Sequence, residues 1–284
     1  MNLVVADFLI QINAGFPLQI DAGYVPYIQV HNTNCPDVII ECRQGLPIGL
    51  FDDCKILFEA NNGHHKFYTI VRYGEGFGFL IYSQQFPDEI QQIALLDKDL
   101  KQWEIYTRPE LDGSIDPMKY PMGPIVLYYL VIKNEAIMIH ASGIFDGEKG
   151  RLFTGFSGTG KSTMAKLWKH NGSTIINDDR LIIRKNGNRY VMHNTPMYYA
   201  DQPMSASVDA IHLIRHFPKN TTQCIKGVKA VSSVMAFCIQ NNFDKLFIQN
   251  CIGFISGLCT SVRVYETGFV PDTSIVSFLN GHED

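Results

Sequence analysis

Gly155-Phe156-Ser157-Gly158-Thr159-Gly160-Lys161-Ser162 follows the pattern G-x-x-x-x-G-K-[S/T] without a departure. With glycine at about 7% of residues in average proteins, a chance match in a chain of this length is on the order of one in a hundred. The apolar run Leu152-Phe153-Thr154 precedes it, and Lys161–His170 has helix-forming composition. A strand, a glycine-rich loop and a helix in that order place successive backbone N–H groups around an anion. The helix N-terminus adds partial positive charge at the same point. The stretch therefore predicts a nucleoside triphosphate site made by Gly155, Phe156, Ser157, Gly158, Thr159, Gly160, Lys161, Ser162 and Thr163. Lys161 is expected on the β- and γ-phosphates and the Ser162 hydroxyl on Mg²⁺.

Downstream, Gly172 is read as a left-handed cap that stops the helix. Thr174–Asn177 and Arg180–Lys185 read as short strands on either side of Asp178-Asp179. The first of these is expected to run beside the loop's own strand, Arg151–Thr154, bringing both aspartates near the phosphates. One carboxylate can hold the metal while the other accepts a proton from an attacking hydroxyl. Lys185-Asn186-Gly187-Asn188 predicts a hairpin into Arg189–His193. Val208–His216 and Val262–Tyr265 read as strands, and Ala230–Gln240 and Asp244–Leu258 as helices. Upstream, Ala136–Ile139 and Ser142–Phe145 read as two strands, with a turn at Asp146–Gly150, and Ile125–Lys133 as a helix or buried segment. No four-residue apolar run ends in Asp-Glu and there is no L-S-G-G-Q-like segment, which weighs against transporter and motor ATPases.

The first 110 or so residues have a different rhythm. Val38–Glu41, Lys55–Glu59, Lys66–Arg72 and Phe77–Tyr82 are rich in β-branched and aromatic residues and are separated by turn formers. Tyr73-Gly74-Glu75-Gly76 predicts a hairpin. Pro109–Pro124 is rich in Pro and Asp, so a β-rich domain is expected over 1–114 and a second domain over 115–284. Charge divides the same way: residues 1–114 carry 7 Lys/Arg against 15 Asp/Glu, and residues 115–284 carry 17 against 13. The positive half is the better host for an anion.

Composition excludes several classes. The 284 residues are 46% hydrophobic and 18% charged, with a net charge of −4, which argues for folded cores and against a basic nucleic-acid binder. The longest apolar run, Ile125–Ile132, is too short to span a membrane. Met1–Ile12 lacks a basic residue and contains Asp7, unlike a secretory signal. Seven cysteines with no C-x-x-C pair argue for reduced thiols in a cytoplasmic protein without structural zinc. Neither nucleic acid nor membrane is expected as a partner. His64-His65 reads as a polar turn, and Cys251 and Cys259 as buried helix residues.

His140-Ala141-Ser142-Gly143, then Gly155–Ser162, then Asn177-Asp178-Asp179-Arg180 resembles the HPr kinase/phosphorylase group. It is more closely similar to HPr-kinase-related, phosphoenolpyruvate-carboxykinase-like P-loop kinases. The resemblance covers roughly residues 120–280, with weaker agreement at Asn194-Thr195-Pro196 and Val264–Ser274. It implies an α/β (α+β) kinase core carrying a smaller β-rich N-terminal domain. It implies His140 near the transferred phosphate, Asp179 as general base, Asp178 as its acidic neighbour and metal ligand, and Ser162 on Mg²⁺. On physical grounds alone, a histidine at a strand end is more often a hydrogen-bonded structural residue.

The family's downstream glutamate-containing signature is not recognisable. Tyr198-Tyr199-Ala200-Asp201-Gln202-Pro203 stands at that distance, with Asp201 as a substitute metal ligand, which weighs against the reverse, phosphorylase reaction and against HPr as substrate. Arg215 and Lys245 are candidates for a later catalytic cation by composition only. The expectation is an ATP- and Mg²⁺-dependent kinase acting on a hydroxyl of a protein, peptide or small molecule. The alternative is an ATP-binding regulatory module with little or no transfer. Carboxykinase chemistry on a small acid ranks last, for want of clustered arginines. Related kinases often assemble as oligomers, so a homo-oligomer is carried as an expectation.

Overall fold

A computed structural model describes residues 1–30, 34–63, 65–86, 89–196, 201–239 and 243–282. The fold is mixed α/β, with two large mixed sheets and few helices. The chain divides into Met1–Lys133 with Pro196–Gln202, and Asn134–Thr195 with Pro203–Asp284. The division falls after Lys133 rather than at residue 114, and the two units are nearly equal in length, so the first is not the smaller domain expected.

In the first unit the strands are β1 (Asn2–Val5), β2 (Phe8–Asn13), β3 (Ile28–Gln29), β4 (Val38–Gln44), β5 (Ile56–Asn62), β6 (His65–Tyr73), β7 (Gly76–Tyr82), β8 (Ile90–Leu96) and β9 (Gln102–Thr107). They form one sheet in the order β3-β1-β2-β4-β9-β8-β7-β6-β5. The β6–β7 hairpin closes at the Tyr73–Gly76 pair, where Gly74 takes φ +54. Helix α1 (Met122–Lys133) is apolar almost all round, as a buried helix must be. Its Tyr129 ring meets Phe79 at 5.4 Å and Trp103 at 5.8 Å on the sheet.

The second unit contains β10 (Ala136–Phe145), β11 (Gly150–Thr154), α2 (Lys161–His170), β12 (Thr174–Asn186), β13 (Arg189–Asn194), β14 (Ser205–Ser207), β15 (Ala210–His216), β16 (Thr221–Ile225), α3 (Gly227–Met235), α4 (Lys245–Ser261), β17 (Arg263–Phe269) and α5 (Ser274–Asn280). Its sheet runs β14-β13-β12-β10-β11-β15-β17-β16, with β11, β15 and β17 parallel to one another. Alternation sends Ile137, Ile139, Ala141 and Leu152 to a core shared with α3 and α4. Ile144 and Phe153 go to the opposite core, with Met164, Ala165 and Trp168 of α2 and Ile275, Val276 and Leu279 of α5. Helices thus cover both faces of the sheet's middle, and the glycine-rich loop joins β11 to α2.

Local chemistry sets the boundaries. Gly172 takes φ +90; its N–H donates to Lys169 O at 3.0 Å and that of Ser173 to Trp168 O at 3.1 Å, a Schellman ending for α2. Asp244 caps α4 by accepting from Leu246 N at 2.9 Å. The Asp146 carboxylate accepts from Lys149 N at 2.7 Å and Glu148 N at 2.9 Å, closing the β10–β11 turn.

Three expected segments differ. Ala136–Ile139 and Ser142–Phe145 are one strand, β10, so His140 lies mid-strand rather than at an end. Likewise Asp178-Asp179 does not separate two strands but lies within β12. β12 pairs with β10, which stands between it and the loop's strand β11. The third helix covers Gly227–Met235 rather than Ala230–Gln240, and Gln240 is outside the described residues.

Candidate functional site

The loop is held by its own backbone and by two glycines whose conformations other residues rarely adopt. Gly158 takes φ +80 and Gly160, at the N-terminus of α2, takes φ +96. A Cβ at Gly160 would lie 2.7 Å from Phe269 Cζ and 3.0 Å from His216 Cε1, so bulk as well as conformation demands glycine there. Thr159 folds the loop inward, its hydroxyl donating to Phe156 O at 2.8 Å. The Lys161 ammonium donates to Gly155 O at 2.9 Å and Phe156 O at 3.2 Å. Partial burial lowers its pKa, while the charges of Asp178 and Asp179 act to raise it. Ser157 and Ser162 are exposed, and Thr163 is half-buried in the first turn of α2.

The two aspartates are brought towards the loop by β10, which pairs with β12 on one side and with the loop's strand β11 on the other. Ser142 on β10 lies opposite Asp178 on β12, and Ala141 opposite Asp179. The register between these strands shifts beyond Gly143, leaving Ile176 without a partner on β10. Such a bulge re-aims the side chains beside it. The Ser142 hydroxyl donates to the Asp178 carboxylate. His140 Nε2 lies 3.5 Å from Asp179 Oδ1, and Arg180 Nε 3.6 Å from Asp179 Oδ2. Burial pulls the His140 pKa below the ordinary imidazole value, assisted by Lys161 and Arg180 and opposed by Asp179 and Asp178.

Beneath the pair is a polar support. Asn177 is 4% exposed, and its amide accepts from Asp178 N at 2.8 Å while donating to Arg180 O at 2.6 Å and to Thr195 Oγ1 at 3.2 Å. Thr195 Oγ1 in turn donates to Arg180 O at 3.0 Å. One buried side chain thus ties down the backbone on both sides of the aspartates. His140 is anchored through its main chain: its carbonyl accepts from Thr154 Oγ1 at 2.8 Å, and its N–H donates to Phe237 O at 3.0 Å.

His140, Asp178 and Asp179 therefore lie together on β10 and β12, and Lys161 of the loop is within electrostatic reach of all three. Arg215 lies at the end of β15 beside the loop, with its guanidinium 5.3 Å from the centre of the Phe217 ring. Lys245 opens α4. Asp201 belongs to the first unit, where its charge acts on Tyr27; Tyr198, Tyr199 and Ala200 lie outside the described residues. His64 is outside them too, while His65 opens β6. Among the described residues, no group of three or more His, Cys, Asp or Glu is placed to hold a metal alone. Among the described residues, no helix is long and apolar enough to cross a membrane.

The supports supplied by Asn177 and Thr195, and the hydrogen bond from Ser142, were not assigned from the sequence. Each depends on the register between strands, which local sequence does not encode. The nearest signal was the presence of Ser142 and Asn177 beside the motif residues.

No family model and no curated protein matches the chain. Among solved structures it has a distant likeness to the HPr(Ser) kinase/phosphatase from Coxiella burnetii, at 10% identity and a TM-score of 0.30, covering 50% of this chain and 91% of that one. A TM-score so low carries no argument, and the chemistry of the site rests on this chain's own residues.

Proposed function

We propose that the second unit is an ATP-dependent phosphotransferase that passes the γ-phosphoryl group to a hydroxyl acceptor on a protein, peptide or small molecule. The observation that carries the reading is that Asp178 and Asp179, held on β12 beside His140, are close enough for their charges to act on the loop lysine, Lys161, at the start of α2. An isolated glycine-rich turn needs no carboxylates, and a simple anion site is weakened by them. Phosphoryl transfer uses both, because a negative tail must be held while an acceptor loses a proton.

In this reading the backbone N–H groups of Gly155–Ser162 hold the polyphosphate, and Lys161 leaves the carbonyls of Gly155 and Phe156 for phosphate oxygens. Asp179 takes the proton of the acceptor hydroxyl as the new O–P bond forms and the bond to the β-phosphate oxygen breaks, releasing ADP. His140, beside Asp179, orients that carboxylate and faces the same reacting group. Ser162 and Asp178 offer the hard oxygen donors that suit Mg²⁺, an ion bound by one or two protein oxygens together with phosphate. When bound there, Mg²⁺ supplies neutralisation of charge on the phosphate oxygens. The Ser142 hydroxyl fixes the direction of Asp178.

The test is incubation of the full chain with γ-labelled ATP and mixed peptides and small hydroxyl compounds, followed by mass spectrometry of what gains phosphate. Transfer that disappears in Asp179→Asn while ATP binding persists supports the assignment. Binding of ATP with no transfer to any acceptor would favour the regulatory-module reading. Transfer undiminished in Asp179→Asn would remove the base assignment.

A further inference from the structure

A cavity of about 340 Å³ opens against the glycine-rich loop, away from the charged cluster in its chemistry. Gly155, Phe156 and Thr159 line it from the loop. Leu213 and Arg215 of β15, Glu266 of β17, Ser233 of α3 and Phe237 just beyond it also line it. Its aromatic pair is specific: the Phe156 and Phe237 rings meet edge to face, with centroids 5.1 Å apart at 76°. Phe156 is 73% exposed, so core packing does not account for a large apolar side chain in a loop otherwise made of small and polar residues. Glu266 brings an acceptor, already paired with Lys229 at 2.8 Å, while Arg215 brings donors.

This lining does not suit phosphate. A polyphosphate in the loop needs amides and cations, whereas an apolar, aromatic space with a few polar groups suits what is attached to it. The volume is at the low end for small-molecule pockets, right for a planar heterocycle and too small for a peptide. Aromatic side chains bind bases through their ring faces, and a carboxylate with a guanidinium can meet the donors and acceptors on a base edge.

We propose that this cavity is the base subsite for the nucleotide, with Phe156 and Phe237 contacting the heterocycle and Arg215, Ser233 and Glu266 reading its polar edge. The proposal rests on the phosphotransferase reading of the loop, and the two are separable by experiment. The full chain is titrated, with Mg²⁺, with ATP and with inorganic tripolyphosphate, which lacks a base. Wild type is expected to bind ATP at least about ten-fold more tightly than tripolyphosphate, the scale of one stacked base. Phe237→Ala, which removes one aromatic wall, and Ser233→Trp, which fills the cavity, are each expected to reduce that preference about ten-fold. Tripolyphosphate affinity should stay the same, which also shows that the variants are folded. A preference for ATP that survives both substitutions overturns the base subsite. So does tripolyphosphate binding that needs Lys161 but matches that of ATP in wild type, and then the phosphate site stands. Failure of wild type to bind either ligand overturns both readings.

Discussion

His140 Nε2 lies 3.5 Å from Asp179 Oδ1, yet the imidazole titrates below its ordinary value. Burial and the Lys161 ammonium outweigh the carboxylate, so the pair is a neutral ring beside a carboxylate near neutral pH. This arrangement is the electrostatic core of the account, and it is measurable.

The His140 ring is expected to titrate below about 6.5 in wild type, followed by its ring-proton NMR shifts. Lys161→Met removes one of the causes lowering the value and should raise it. Asp179→Asn removes the carboxylate that favours the imidazolium and should lower it further. The linkage has the same sign. With the folded value below the unfolded one, the unfolded chain binds more protons between them, so this residue makes stability rise with pH up to about 6.5 and adds no slope above. An unchanged His140 titration in Lys161→Met would mean that the lysine does not act on the ring.

Asn177 should be costly to remove, because it is buried and satisfies three partners. Asn177→Ala leaves Asp178 N without this acceptor and is expected to destabilise by about 2–3 kcal/mol in urea unfolding. Thr195→Val keeps the shape and loses the hydroxyl, costing about 1 kcal/mol. Transfer should fall more than ATP affinity in both, since they disturb the aspartates and not the loop. Equal losses in the two would place the effect on folding alone.

Two loop glycines should behave differently. Gly160→Ala adds a Cβ 2.7 Å from Phe269 at φ +96 and is expected to cost about 3 kcal/mol through strain and overpacking. Gly158→Ala adds a Cβ with nothing within 4 Å, leaving only the cost of φ +80, about 1 kcal/mol. Thermal unfolding of the two variants distinguishes them, and equal losses would contradict the packing at Gly160.

Much of this was legible because it is local. The residues of α2 declare its start through Gly160-Lys161 and its end through Gly172, and Tyr73–Gly76 and Asn186–Arg189 declare hairpins through their glycines. Asp178-Asp179 misled for the same reason. Adjacent acids favour a turn, but pairing with Ser142 and Ala141 on one side, and the Asn177 and Thr195 hydrogen bonds below, hold them extended within β12. The insertion of β10 between β11 and β12, and the parallel partnership of β11 with β15, are long-range pairings that no short stretch specifies. Helix α1 likewise follows a Pro- and Asp-rich passage that reads as a boundary, yet its buried rings belong with the first sheet.

Equilibrium binding of Mg²⁺–ATP to wild type and to Lys161→Met, with thermal unfolding of both, tests the central claim most directly. The account predicts saturable binding to wild type and a loss of roughly 100-fold or more in the variant, the scale of a desolvated charge pair left unmade. Folding should be barely affected, because the half-buried ammonium is replaced by a neutral chain of similar length. Undiminished ATP affinity in a folded Lys161→Met chain would contradict it.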